Sequence, residues 1–279
     1  MMIIIAKLLR NNKYIIKFIN YISPFFMRIF GFEASEEVFI FIFSFLSGNP
    51  TSHILINDLF NENKISKAEA NRLSISLCFS SFLYLYKTSI ILFKDSIGII
   101  LFINYLIPIL LLIKPTKQAK IKINPASYSN NINLNKIVNE AFMSLIKIFS
   151  FVFFFDIITS FLVSFFKLPA SFSYLLANSL DMTVSTRYYY SYSKNLNLFI
   201  YCFFNAFLGI SIHMQIMSVA SYLSYKVFLI NRVLIGLISG IIAIIFSYNL
   251  ALGALSSLIF SLIIFKKRIT KKMIPNFEI

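Results

Sequence analysis

The chain has few charged residues and few cysteines for its length. Of its 279 residues 13% are charged and 58% are apolar, whereas a soluble domain has about 25% charged and about 45–50% apolar residues. This shortage of charge excludes an ordinary soluble globular protein. The two cysteines, Cys78 and Cys202, lie in apolar segments without CxxC or Cys/His spacing. They are therefore interpreted as packing residues, not as a disulfide or a metal site.

Signature motifs of common enzymes are also missing from the sequence. It contains no GxSxG, HExxH, P-loop or GxGxxG pattern, each of which marks a definite catalytic or nucleotide-binding structure. Its two histidines have no Cys, Asp or Glu at metal-ligand spacing. We therefore predict a protein that is not an enzyme and has no metal or other cofactor.

Long apolar runs are the main positive feature of the chain. They occupy residues 97–113, 142–166 (apart from Lys147), 196–220, 227–247 and 250–265. Several reach the ~17–25 residues that a membrane-spanning helix needs, and the alternating ten-residue segments of a membrane β-barrel are absent. The predicted fold class is an all-α polytopic membrane protein; the family resemblance described below implies that the membrane is the bacterial cell membrane.

The net charge of +15 lies in the connections and tails between these runs. We interpret it as topology-setting charge beside anionic lipid, so the predicted partner is the lipid bilayer and not nucleic acid. The basic residues predicted on one side are Lys64, Lys67, Arg72, Lys114, Lys117, Lys120, Lys122, Lys136 and Lys226. The other side receives little beyond Lys94, Lys167 and Lys194, so the first side is predicted to be cytoplasmic.

Two apolar stretches contain polar residues in their middle. They are FIFSFLSGNPTSHILIND, residues 41–58, and LPASFSYLLANSLDMTVSTRYYY, residues 168–190. An arm of ten residues extends ~15 Å as a helix, about half of the ~30 Å hydrocarbon core. Each stretch is therefore predicted to be a re-entrant hairpin that turns at mid-membrane. The alternative for the first stretch is one complete crossing with a kink at Pro50.

Each interrupted stretch is followed by an apolar segment with its own polar break. The breaks are CFSS, residues 78–81, and LGISIHMQ, residues 208–215; Ser47 and Ser179 are 132 positions apart, as are Ser80 and Ile212. The shared order favours a duplication, with a broken transmembrane helix in each repeat. Three predicted crossings separate the hairpins, so the repeats are predicted to be inverted, as in many secondary transporters.

These features divide the chain into five predicted segments. They are an interfacial N-terminal segment (1–32), a first repeat (33–113), a basic cytoplasmic loop (114–141), a second repeat (142–265) and a basic cytoplasmic tail (266–279). Ser66 and Glu69 have capping-box spacing, which predicts a helix that begins at Lys67. Residues 227–265 are predicted to cross the membrane twice, with a turn at Tyr248 and Asn249.

The motifs in these repeats resemble a known family. GFEASEEVFIFIFSFLSGNPTSHILINDLFNENKISKAEANRLSISLCFSS, with LLANSLDMT and FLGISIHMQIMS further on, is similar to the YlbJ-type sporulation integral membrane proteins. These belong with the nucleoside-recognition, or Gate-domain, membrane proteins, and the similarity extends from about residue 18 to residue 248. It implies a role in spore cortex formation, in the forespore or mother-cell membrane. The chain departs from the family pattern at Asn49, Ser52, Ile54, Cys78, Phe82 and Asp181.

The predicted binding site combines the polar residues of the hairpin tips and the breaks. Ionisable groups within a membrane are expensive and are functional by default; the alternative for the histidines is that they tie unwound helix ends together. Asp181 at the second tip needs a partner or water, and Arg187 and His213 are the candidate partners. The predicted site residues are Ser47, Gly48, Asn49, Pro50, Thr51, Ser80, Ser81, Asn178, Asp181, Thr183, Ser211, His213 and Gln215.

Three functions fit this sequence. The first is a transporter-like protein that moves or binds a small polar solute or ion at a mid-membrane site. The second is a non-transporting scaffold that recruits sporulation membrane proteins, and the third is a nucleoside permease. The sequence leaves the formation of a homo-oligomer open.

Overall fold

The structure is a computed structural model that describes residues 2–113, 134–249, 252–257 and 259. These residues contain helices and no strands. The α-helices are α1 (Met2–Arg10), α2 (Lys13–Phe30), α3 (Ser35–Ser47), α4 (Thr51–Asn61), α5 (Lys67–Ser76), α6 (Phe82–Leu92), α7 (Ile97–Leu112), α8 (Leu134–Phe165), α9 (Ala170–Leu180), α10 (Lys194–Phe207), α11 (Gly209–Met217) and α12 (Tyr225–Tyr248). Two short 3-10 helices are Lys94–Ser96 and Ser185–Tyr188.

Three helical segments are long and apolar enough to cross a membrane. They are Ile137–Phe165 in α8, Lys194–Met217 in α10 and α11 together, and Tyr225–Tyr248, which is α12. The helices Phe82–Leu92 and Ile97–Leu112 are apolar but shorter. The described part of the chain is therefore all-helical, as predicted, and has the helices of a membrane protein.

The N-terminal segment forms two helices, α1 and α2, where one interfacial segment was predicted. Asn12 separates them, and its side chain accepts hydrogen bonds from the N–H groups of Tyr14 and Ile15 at the start of α2. One face of α2 packs on the core through Ile16, Ile19, Ser23, Met27 and Phe30, and the opposite face exposes Tyr14, Phe18, Tyr21 and Phe25. An exposed aromatic row beside lysines fits the predicted position at the membrane surface.

Helices α3 and α4 pack side by side and form a hairpin with both ends at one end of the molecule. Lys64, just beyond α4, binds Glu36 in the first turn of α3 and Glu62 at the end of α4, each with 3.0 Å between nitrogen and oxygen. The chain therefore returns to the end from which α3 starts. Whether this hairpin enters a membrane stays a prediction.

The predicted broken helix is present as α5 and α6, which are interrupted at residues 77–81. Helix α5 begins at Lys67, as the sequence predicted, and Ser66 Oγ accepts the N–H of Glu69. The reciprocal bond of the capping box is replaced, because the Ser66 N–H donates to Glu33 instead. Arg72 on α5 binds the last carbonyls of α2 and α7, so the ends of both helices lie beside the middle of α5.

The second half begins earlier in the chain than predicted, and only the first arm of its predicted hairpin is an α-helix. Helix α8 starts at Leu134, inside the loop predicted for residues 114–141, and Lys7 of α1 binds its Glu140 at 2.6 Å. Helix α9 ends at Leu180, but the return segment, residues 181–193, contains only the short 3-10 helix. The Asp181 carboxylate accepts the N–H and the hydroxyl of Thr183, and such a local bond competes with helix formation.

The predicted break at residues 208–215 is much narrower than expected. Only Leu208, with φ of 80°, interrupts the helix, and α11 restarts at Gly209. The prediction of unwound backbone at Ser211, His213 and Gln215 is therefore wrong, because these residues are helical. Helix α12 packs antiparallel on α10 and reaches its start, where Ser247 Oγ donates to Asn195 Oδ1.

Three predicted segments cannot be compared with the structure. The basic loop at residues 114–133 and the tail at residues 266–279 lie outside the described residues. Most of the predicted last crossing, residues 250–265, lies outside them as well.

Candidate functional site

The tip of the α3–α4 hairpin, residues 47–51 and here called the first tip, packs on the first break, residues 77–81. A Cβ placed on Gly48 would lie 2.4 Å from the backbone nitrogen of Ser81, so the two backbones touch. Asn49 Nδ2 donates to Phe79 O at 3.1 Å, and Ser52 Oγ donates to Leu77 O at 3.4 Å. The first tip and the first break therefore form one unit.

The second half repeats this arrangement between the second tip, residues 178–183, and the second break, Leu208 and Gly209. A Cβ on Gly209 would lie 3.2 Å from each of three backbone atoms, namely Asn178 O, Leu180 O and Met182 N. In both halves a glycine thus allows the hairpin tip to touch the interrupted helix. The glycine lies in the tip in the first half and in the break in the second, and the duplication itself stays a prediction.

The two halves meet where the first break contacts the second tip. Tyr84 Oη at the start of α6 donates to Met182 O at 3.1 Å, and the Ser80 hydroxyl lies 3.8 Å from the Met182 sulfur. Among the described hydrogen bonds none joins the first tip to the second tip. Of the tips and breaks that the predicted site combines, the structure joins the second tip to the first break by these contacts.

Arg232 on α12 is a buried charged residue beside both breaks that is absent from the predicted site. Its side chain is fully buried, and its guanidinium donates to Cys78 O at 2.5 Å, to Ala206 O at 3.3 Å and to Ile75 O. These carbonyls lie at the carboxyl ends of α5 and α10, where helices leave acceptors unpaired and carry negative partial charge. Arg232 therefore joins the ends of both interrupted helices.

One sequence signal pointed to Arg232, namely a single charge inside the apolar run 227–247. The rule that marks intramembrane ionisable residues as functional applies to it as it does to the histidines.

The two histidines also bind carbonyls at helix ends. His53 Nε2 lies 3.1 Å from Ser74 O in the last turn of α5, and its Nδ1 lies 3.3 Å from the Ser52 hydroxyl. His213 Nε2 lies 2.7 Å from Phe207 O at the end of α10, and its ring packs on Phe207 and Phe228. Both contacts match the alternative interpretation that the histidines tie interrupted helix ends together.

Asp181, at the second tip, is a predicted site residue with a buried side-chain atom that lacks a hydrogen-bond partner among the described residues, as His213 is through its Nδ1. Its Oδ1 accepts Thr183 N at 2.8 Å and Thr183 Oγ1 at 2.6 Å, while its Oδ2 is buried without a partner among the described residues. Neither of the two candidate partners, Arg187 and His213, binds it. Arg187 binds Asp156 on α8 at 2.9 Å, and His213 binds Phe207 O.

The neutral side chains of the predicted site are largely bonded to their own surroundings. Ser47 donates to Phe43 O, Asn178 donates to Tyr174 O, and Gln215 Nε2 donates to Ser211 Oγ. Ser81 caps α6 by accepting the Tyr84 N–H, and Thr51 is the buried first residue of α4. These groups hold the local helices in place.

A small cavity lies between α4, α8 and α11. Its volume is about 10 Å³, which is room for about one water molecule. Its lining residues are Pro50, Ile54, Ser144, Lys147, Ile148, Gln215, Ser218 and Val219. Two predicted site residues, Pro50 and Gln215, thus border the same space.

Comparison of this chain with family models, curated proteins and solved structures finds no match. The similarity to the YlbJ-type membrane proteins therefore rests on the sequence motifs alone.

Proposed function

We propose that this chain is a transporter-like integral membrane protein of the sporulation type, with a binding site for a small polar solute or ion beside Asp181. The observation that carries this proposal is the fully buried Asp181 carboxylate, one oxygen of which has no partner among the described residues. An unpaired buried carboxylate costs several kcal/mol. A cation, or a solute with N–H or O–H donors, removes that cost by binding there.

The position of Asp181 suits such a site. It follows the last turn of α9, where carbonyl groups add negative potential, and the second tip meets both breaks. Interrupted helices that converge in this way form the binding sites of many secondary transporters. The geometry supports a solute site, and the role in spore cortex formation is what the family resemblance implies.

Replacing Asp181 by asparagine tests the proposal. Purified protein is heated with Na⁺, K⁺, amino acids or uridine in turn, and we expect one of these probes to raise the melting temperature of the wild type. A hydrogen bond to a charged group contributes about 1.5–3 kcal/mol, so the Asp181→Asn variant should bind that probe at least ~10-fold more weakly. The matched control is Asp156→Asn, whose carboxylate already pairs with Arg187. Equal stabilisation of both variants contradicts a site at Asp181.

A scaffold function is the second candidate, and the internal bonding of the predicted site residues favours it. Ser47, Asn178 and His213 already bind backbone carbonyls. A scaffold predicts stoichiometric partners that co-purify from sporulating cells and that are retained by Asp181→Asn. A nucleoside permease, the third candidate, predicts uptake of labelled uridine into vesicles that contain the protein.

The proposed re-entrant hairpin predicts which residues face the same side of the membrane. Single cysteines at Glu33 and Asn63, before α3 and after α4, are introduced into a variant without Cys78 and Cys202. We expect an impermeant thiol reagent to label both from one side, because Glu33 binds Ser66 across the base of the hairpin. Cysteines at Lys94 and Lys194 should react from the other side. If the cysteines at positions 33 and 63 are labelled from opposite sides, the segment between them is a complete crossing.

A further inference from the structure

Glu37 is a fully buried carboxylic acid in the first turn of α3, away from the proposed solute site. Its Oε1 accepts the N–H groups of Glu33 and Ala34, each at 2.7 Å. Its Oε2 is buried and receives no N–H or O–H donor among the described residues. The neighbouring acidic group that interacts with the Glu37 carboxyl is the side chain of Glu69.

Glu69 is 2% exposed and lies on α5 beside Arg72. Arg72 Nε donates to Glu69 Oε2 at 2.8 Å, and a second nitrogen of the guanidinium donates to Glu69 Oε1. The remaining donor of Arg72 binds Phe30 O and Leu112 O. One guanidinium therefore faces two buried carboxyl groups, and the three side chains together are neutral only when one proton is bound.

The charged groups on neighbouring elements already have other partners. Glu36 binds Lys64, Asp58 binds Lys7, Glu62 binds Arg10, and Glu33 accepts hydrogen bonds from Ser66. The charged side chains of α2 and α6 are exposed; they are Lys13, Lys17, Arg28 and Lys87. The charged group near Glu37 that can offset its charge is thus Arg72, which also serves Glu69.

We propose that Glu37 and Glu69 form a proton-binding site, in which one proton is shared between Glu37 Oε2 and the Glu69 carboxylate. Two buried carboxylates in contact cannot both ionise, so the proton belongs to the pair and not to either residue alone. Burial, with Glu69 facing it, raises the pKa of Glu37 well above its usual range. The site therefore holds its proton at pH values at which exposed glutamates have lost theirs.

The bound proton stabilises the contact between α3 of the hairpin and α5 of the broken helix. Glu37 belongs to α3 and Glu69 to α5, so the shared proton links these two helices at the end of the molecule that carries Lys64 and Arg10. When the proton leaves, two negative charges face each other and the helices repel. If the chain moves a solute, this site supplies proton coupling; that extension rests on the proposed function, whereas proton binding itself does not.

The test uses Glu37→Gln, which mimics the protonated acid. The oxygen of the introduced amide can accept the two N–H groups, and its nitrogen can donate to Glu69. A group with a raised folded-state pKa contributes stability at low pH and loses it as the pH rises through that pKa. We therefore expect the melting temperature of the wild type, followed by circular dichroism, to fall by roughly 5 °C between about pH 5 and pH 8. The Glu37→Gln variant should show no such fall.

Glu36→Gln is the matched control, because Glu36 is the next residue and pairs with Lys64; it should keep the wild-type pH dependence. Infrared spectroscopy gives a second readout, since the wild type at pH 7 should show the carbonyl band of a protonated carboxyl that Glu37→Gln lacks. A wild type without that band and with the pH profile of Glu37→Gln overturns the proposal. Stabilisation by Mg²⁺ or Ca²⁺ that is lost in Glu37→Gln overturns it too, in favour of a cation site. Neither outcome depends on Asp181.

Discussion

Arg232→Met should lower the melting temperature of the protein by roughly 10 °C. The substitution leaves buried carbonyls of Ile75, Cys78 and Ala206 without their donor, and each unsatisfied acceptor costs about 1–3 kcal/mol. Removing a buried charge offsets part of this loss, which leaves a destabilisation of about 3 kcal/mol or more. The melting temperature of a chain of this size falls by roughly 2–4 °C for each kcal/mol of destabilisation, which gives the expected fall of roughly 10 °C.

The two cysteines provide the measurement. Cys78 and Cys202 are both buried, so a thiol-reactive fluorophore reports unfolding as they become accessible. Cys78 belongs to the first break, and its carbonyl is one of those that Arg232 binds. We expect the fluorophore to react with Arg232→Met at temperatures where the wild type is still inert.

Two further arginine variants separate the role of Arg232 from a general effect of removing charge. Arg28 is exposed on α2, and Arg28→Met should leave the melting temperature within about 2 °C of the wild type. Arg232→Lys keeps the charge but loses the planar fork that reaches several acceptors, so an intermediate melting temperature is expected. If Arg232→Met melts like the wild type, the two helix ends do not depend on this guanidinium.

The interruptions of the fold could be predicted because they change the composition of the chain. The residues 47–51 and 78–81 place polar side chains, proline and glycine inside apolar runs, and the structure interrupts the helices at or beside both. The start of α5 at Lys67 was predictable for a similar local reason, since Ser66 is a good capping residue. Such features depend on residues that are neighbours in the sequence.

The partners of the charged groups could not be predicted, because they depend on residues that are distant in the sequence. Arg187 binds Asp156 and not Asp181, because α8 places Asp156 within reach of the Arg187 guanidinium. Arg232 binds backbone carbonyls. Because every residue has a backbone carbonyl, the sequence does not indicate which ones an arginine binds. The width of the second break was overestimated, since Ser211 and Gln215 bond to each other within α11.

Gly48→Ala should destabilise the protein by about 3 kcal/mol or more and separate the first tip from the first break. Gly48 has φ of 63° and ψ of −160°, a region open to glycine and strained for other residues by about 1–3 kcal/mol. Its Cβ would also lie 2.4 Å from Ser81 N, which is backbone and cannot rotate away. The tip must therefore move, and we expect the Asn49–Phe79 hydrogen bond to break. The thiol assay should show a melting temperature lower by roughly 10 °C, with early reaction of Cys78.

Two other glycines provide comparisons for Gly48→Ala: Gly98 is the control, and Gly209 tests the corresponding contact in the second half. Gly98 lies in the first turn of α7, and a Cβ there meets no atom within 4 Å. Because alanine favours helices more than glycine does, Gly98→Ala should raise stability by up to about 1 kcal/mol. Gly209→Ala places its Cβ at 3.2 Å from the second tip with φ of 77°, so it should be destabilising but less so than Gly48→Ala. If Gly48→Ala and Gly98→Ala melt alike, the close packing of the first tip on the first break is wrong. If only Gly209→Ala is neutral, the close contact between tip and break is confined to the first half.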